Sequence, residues 1–241
     1  MLTAQDLHKI ANQMRADVLH MVYTAQAGHV AGPLSSAEEI TTLYFSGLVD
    51  LGHDKIVLSC GHYCPILYSA LARTEKLPIE ELATFMQVGS RLPGHPERGS
   101  VPGIEVSAGP LGQGVSVATG MALGLKLKFG ARAQKDTPRV YCVMSDGEIQ
   151  EGQVWEAFNF AVRRQLDNLI FILDRNRIQI ENYVSQLATY GEVVGRLEAF
   201  GLHVLEVGGN DNNPEWHDRV PTHAELLLAL KELGVADANN Q

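Results

Sequence analysis

Apolar residues Leu7, Ile10, Met14, Val18 and Met21 recur at helical spacing and predict a helix over Thr3 to Ala25, opened by a capping box of Thr3 and Asp6. A glycine-rich turn, Gly28 to Pro33, ends it, and a second helix is predicted from about Ser36, with Glu39 placed to cap it in return. The run Lys55 to Ser59 reads as a short buried strand. Helices are expected at Pro65 to Arg73 and Pro78 to Val88. The stretch from Gly89 to Gly114 is rich in Gly and Pro and too long for a simple connector, which marks it as functional. Beyond it the pattern predicts helix at Val115 to Phe129, strand at Val140 to Met144, helix at Glu151 to Arg164 and strand at Leu169 to Leu173. A last strand is expected at His203 to Val207, then a helix beginning near Thr222 with Glu225 closing another capping box.

Short apolar strands alternating with helices predict an α/β fold, a parallel sheet with helices on both faces. Sites in such folds lie beyond the carboxyl ends of the strands. His62, Asp146 and Asn176 each follow a predicted strand, so one shared site is expected.

Bulk composition narrows the field without choosing within it. The 241 residues suffice for one large α/β domain with a substantial core. A net charge of −9 with no basic run speaks against nucleic acid as a partner. No apolar stretch approaches the ~20 residues that span a bilayer, and the polar N-terminus lacks a secretion signal. Three cysteines, Cys60, Cys64 and Cys142, suggest reduced thiols and a cytoplasmic location. Cys60, His62 and Cys64 have the spacing of no usual zinc site.

The chemistry concentrates in three places. Asp146 in Ser145-Asp146-Gly147-Glu148, and Asn176 in Asp174-Arg175-Asn176-Arg177-Ile178, offer hard oxygens at neighbouring strand ends, and the carbonyl of Ile178 can add another. Such a set suits a magnesium ion holding a diphosphate, with Gly147 allowing close approach of phosphate oxygens. The same residues also read as ordinary turns. Ser107 to Gly114 runs into a helix whose first N–H groups are expected to face an anion. Three histidines, His29, His62 and His95, lie in glycine-rich contexts, where neutral imidazoles can bond to sugar hydroxyls or relay protons.

In order and approximate spacing these motifs resemble the transketolase family over about residues 5 to 210. The matching pieces are Gly28-His29 with Gly32-Pro33, Val57-Leu58-Ser59 with Gly61-His62, and Pro93-Gly94-His95-Pro96-Glu97. They continue with Gly109-Pro110-Leu111-Gly112-Gln113-Gly114, Asp146-Gly147 with Glu151-Gly152, and Asn176 with Ile178. The resemblance implies a single thiamine diphosphate and metal-binding domain over residues 1–241. It implies magnesium or calcium on Asp146, Asn176 and the Ile178 carbonyl, a cofactor site of His62, Gly109, Leu111, Gly147, Glu151 and Asn176, and His29, His62 and His95 as the catalytic residues. Glu151 would sit at a subunit contact, in an acidic network linking paired sites, and His29 and His95 would meet the ketose donor. The implied reaction moves a two-carbon ketol unit from a ketose phosphate to an aldose, in the pentose phosphate pathway.

Several positions depart from the family pattern. Ser145 and Arg175 stand where Gly and Asn are usual, and Cys60, Tyr63 and Cys64 flank His62 where smaller or more polar residues are common, so a crowded pocket is expected. The pyrimidine-binding and C-terminal domains, and a further glycine-rich turn with a cofactor-contacting histidine, find no match. A split enzyme is therefore expected, one that needs a C-terminal-half partner subunit for activity and assembles as a homodimer or heterotetramer. Alternatives are a non-catalytic or regulatory module and a subunit of a 1-deoxyxylulose-phosphate synthase-like enzyme.

Overall fold

The computed structural model describes residues 2–131, 136–180, 182–187, 193–207 and 221–234. In chain order the helices and strands begin with α1 (Ala4–Ala25), α2 (Ala31–Ser35), α3 (Ala37–Phe45), β1 (Lys55–Leu58), α4 (Cys64–Arg73), α5 (Gln113–Phe129) and β2 (Val140–Ser145). They continue with α6 (Gly152–Arg163), β3 (Leu169–Asp174), β4 (Ile178–Gln179), β5 (Asn182–Tyr183), α7 (Val184–Leu187), α8 (Val193–Ala199) and α9 (His223–Glu232). They divide into two compact units. One comprises Met1–Asp50, Gly61–Ser107 and Glu215–Gln241, the other Leu51–Cys60 and Ala108–Pro214.

The first unit is helical. α1 buries Met14, Val18 and Met21 of the predicted stripe together with Ala11, Leu19 and Val22, leaves Leu7 and Ile10 half-buried, and packs on α3, α4 and α9. Its start is the expected box: Thr3 accepts from the Asp6 amide and Asp6 from the Thr3 amide. Asp17 on α1 ties down α4 by accepting from Arg73 Nε at 2.7 Å and from Ser69 Oγ at 2.5 Å. The box at Thr222 and Glu225 likewise opens α9. Two local expectations fail here. Ser36 does not cap α3 with its side chain; its hydroxyl turns back to the Gly32 carbonyl at 3.1 Å, inside α2. Residues 79–84 form a 3₁₀ helix instead of α-helix, since only Leu82 of that turn is buried and little packing holds a longer coil.

The second unit carries a parallel sheet in the order β1-β2-β3, with Leu58 opposite Val143 and Ser145 opposite Asp174. All but one residue of β2 are buried, as a central parallel strand requires. α5 packs on the sheet and on α6. The β2–β3 register carries both strands to a common carboxyl end, where Ser145-Asp146 and Asp174-Arg175-Asn176 emerge side by side. The strand expected at His203 to Val207 is not formed: among the described residues nothing pairs with it, and Leu205 and Val207 are exposed.

Candidate functional site

In the helical unit the three predicted histidines converge. The rings of His29 and His62 lie 5.1 Å apart, and those of His29 and His95 6.4 Å apart, all edge to face. Each is aimed by its own support. Gly28 precedes His29 with φ +119°, and a Cβ there would meet the Phe85 ring at 2.9 Å, so only glycine lets the chain turn into His29. Tyr63 stands edge-on to His62 at 4.7 Å. The Tyr68 hydroxyl donates to the Pro93 carbonyl at 2.8 Å and Cys64 Sγ to the Gly94 carbonyl at 3.1 Å, which seats the residues just before His95. Burial pushes the Cys64 thiol and the Tyr68 phenol well up, so both remain protonated donors. His95 is open to solvent on one side, yet partial burial and the nearby His29 hold it below the ordinary imidazole value. It is therefore neutral at pH 7, able both to donate and to accept.

The crowding expected from Tyr63 does not arise in the way the sequence suggests. Tyr63 is 1% exposed, and its ring occupies the space a side chain at Gly32 would need. All three cysteines are buried, and none is in a disulfide.

In the sheet unit, the Asp146 carboxylate, 2% exposed, accepts from the Arg177 amide at 2.8 Å. That bond draws the 176–178 turn against Asp146. Asn176 Oδ1 accepts from the Ile178 amide at 2.9 Å, and its Nδ2 donates to Asp174 at 2.9 Å. Burial raises the Asp146 pKa, and the charge of Asp174 adds to it, while the Arg177 amide and the Arg175 and Arg177 charges pull the other way. Asp146, the Asn176 amide oxygen and the Ile178 carbonyl are the hard donors that a magnesium or calcium ion takes, so the residues present fit the metal expected from sequence. Among the described residues no three His, Cys, Asp or Glu side chains form a metal cluster by themselves. Gly147 has ordinary helical backbone angles; its lack of a side chain admits Gln179, whose Cγ lies 3.2 Å from where a Cβ would be. Glu151 is exposed at the start of α6.

Gly109 and Leu111 lie half-buried just before α5, but the free N–H groups expected there are partly spent. The Gly112 amide donates to Glu148 Oε1 at 2.7 Å, and the Gln113 amide bonds to the Pro110 carbonyl. Glu148 was not singled out from sequence, although it belongs to the same quartet as Asp146. It is 0% exposed, and its Oε1 also accepts from Ser59 Oγ at 2.5 Å. No local signal says that this glutamate faces inward.

The family model described as transketolase, thiamine diphosphate binding domain, matches residues 7–224. An apulose-4-phosphate transketolase subunit from Actinobacillus succinogenes is 31% identical, over 96% of this chain and 97% of its own. A 6-deoxy-6-sulfo-D-fructose transketolase subunit from a Clostridium species is 37% identical, over 86% of this chain and 76% of its own. Among solved structures, a transketolase from Leishmania mexicana superposes with a TM-score of 0.86 at 26% identity. The match covers 98% of this chain, which spans 42% of that one.

Proposed function

We propose that this chain, which belongs to the transketolase family as a thiamine diphosphate-binding domain, is the diphosphate-binding subunit of a cytoplasmic two-chain transketolase. The enzyme transfers a two-carbon ketol unit from a ketose phosphate to an aldose, and a separate subunit supplies the pyrimidine-binding half. Two relatives are themselves named as subunits, one of them matching nearly end to end, which supports the division. The whole of residues 1–241 serves as one cofactor-binding domain, assembled with its partner as a heterotetramer.

When bound, thiamine diphosphate supplies the electron sink that lets the carbon–carbon bond beside a ketose carbonyl break. The chain's own residues bind and orient. Asp146, Asn176 and the Ile178 carbonyl hold the divalent ion that meets the diphosphate, with Gly147 leaving room beside them. Gly109, Leu111 and His62 line the cofactor, and Glu151 lies at the contact with the partner. His29 and His95 grip the hydroxyls of the donor. Being neutral, His95 gives a hydrogen bond to the terminal hydroxyl without placing a positive charge in the site.

The observation that carries the reading is the buried Asp146 carboxylate drawn against the 176–178 turn. Calorimetric titration of thiamine diphosphate into the chain, with magnesium and then with chelator, tests it. Binding is expected to need the metal and to disappear in Asp146→Ala. Binding indifferent to both would sink the reading. Ketol transfer by the pure chain would overturn the need for a partner.

A further inference from the structure

We propose that Glu148 and Gln153 form a clamp on the single peptide group joining Leu111 to Gly112, and so act as positioning residues for the cofactor-lining segment. The inference rests on the reading above that Leu111 lines the cofactor.

Both polar ends of that one peptide are gripped by side chains from the segment after β2. Its N–H, on Gly112, donates to Glu148 Oε1 at 2.7 Å, and its carbonyl, on Leu111, accepts from Gln153 Nε2 at 3.0 Å. With both ends held, the peptide plane cannot rotate without breaking a bond at each side. The backbone at Gly112 is left-handed, with φ +83°, and a Cβ there would lie 2.8 Å from Gln153 Cγ. Glycine is thus required twice, for the angle and for the approach of the clamp. The third support is Ser59 at the end of β1, which donates to the same Oε1 at 2.5 Å. Ser59 in turn packs against Gly114, where a Cβ would meet its Cα at 2.6 Å. One buried carboxylate therefore ties the end of β1 to the start of α5.

A carboxyl group suits this post because one oxygen accepts from Ser59 and Gly112 together. The first N–H groups of α5 favour an acceptor at the helix start, and in this chain that acceptor is the protein's own Glu148. Burial raises the Glu148 pKa, and the bonds from Ser59, Gly112 and Ser145 oppose that rise. Leu111 is thereby presented to the cofactor at a fixed angle.

The test has two readouts on the full chain. The first is amide hydrogen exchange at Gly112 in the unliganded wild type, Glu148→Ala, Glu148→Gln and Gln153→Ala. The second is the affinity for thiamine diphosphate with magnesium, in the presence of the partner subunit. Glu148→Ala is expected to expose the Gly112 amide while the middle of α5 keeps its protection, and to weaken cofactor binding about ten- to a hundredfold. Glu148→Gln retains an acceptor and is expected to restore most of both. Gln153→Ala frees only the carbonyl end and should fall between. Unchanged Gly112 exchange in Glu148→Ala, or no rescue by Gln, overturns the clamp. Should the wild type fail to bind cofactor, the functional reading fails, and the exchange data still decide the clamp. Cofactor affinity unchanged while Gly112 opens would overturn its positioning role.

Discussion

Gly32→Ala is the sharpest test of how the histidine cluster is built. A Cβ at residue 32 would lie 1.9 Å from Tyr63 Cε1, 2.5 Å from Cζ and 2.6 Å from Cδ1. Ordinary carbon contact begins near ~3.5 Å, so the ring must retreat by more than an ångström or α2 must shift. Neither is free, because Tyr63 is 1% exposed and its other side stands against His62. Overpacking of this kind costs about 1–3 kcal/mol. Alanine's advantage over glycine belongs to helix interiors and not to the second residue of the five-residue α2, so the loss stays at about 1–3 kcal/mol. For a chain of this size that is a fall in Tm of roughly 2–12 °C. Thermal unfolding followed by circular dichroism measures it. Tyr63→Ala alone also destabilises, by opening a cavity, but the double variant should be less damaged than the sum of the two. A coupling of about 1–3 kcal/mol is expected, since each change makes the space the other needs. The His62 ring resonances should move in Gly32→Ala, because the displaced tyrosine leans on that imidazole. Wild-type stability in Gly32→Ala, or strict additivity in the cycle, would refute the packing argument.

Two further outcomes follow from other parts of the chain. His95 has its pKa held below the ordinary 6.5, so the unfolded chain takes up a proton at a higher pH than the folded one. Its contribution to stability is complete above that ordinary value and is lost as pH falls through it towards the folded value. The urea midpoint should drop between pH 7.5 and pH 5.5, and drop less in His95→Gln; equal drops in the two proteins would exclude His95 as the source. Asn168, 0% exposed, donates from Nδ2 to the carbonyls of Ala122 and Pro138 at 3.0 and 3.2 Å. Asn168→Ala leaves both carbonyls short of a donor and should cost about 1–3 kcal/mol, read as a lower urea midpoint at unchanged slope; an unaltered midpoint would show that water replaces the amide at no loss.

The sequence alone determined the elements whose signals are local. α1 announced itself by one apolar stripe and a capping box, and β2 by a short run of apolar residues, because helical and strand periods are properties of neighbouring residues. The family was legible for the same reason, from short strings in a fixed order. What only the tertiary structure decided were the pairings between distant residues. Whether residues 79–84 wind as α or 3₁₀ depends on how much of that turn is buried. Whether 203–207 is a strand depends on a neighbour to pair with. Tyr63 looked like an obstruction beside His62 until Gly32, thirty-one positions earlier, made room for it. Glu148 looked like one more acidic residue after Asp146, and became a buried anchor because Ser59 and Gly112 close on it from 89 and 36 positions away. Burial and hydrogen bonding are set by what folding brings together, and a linear string does not carry those distances.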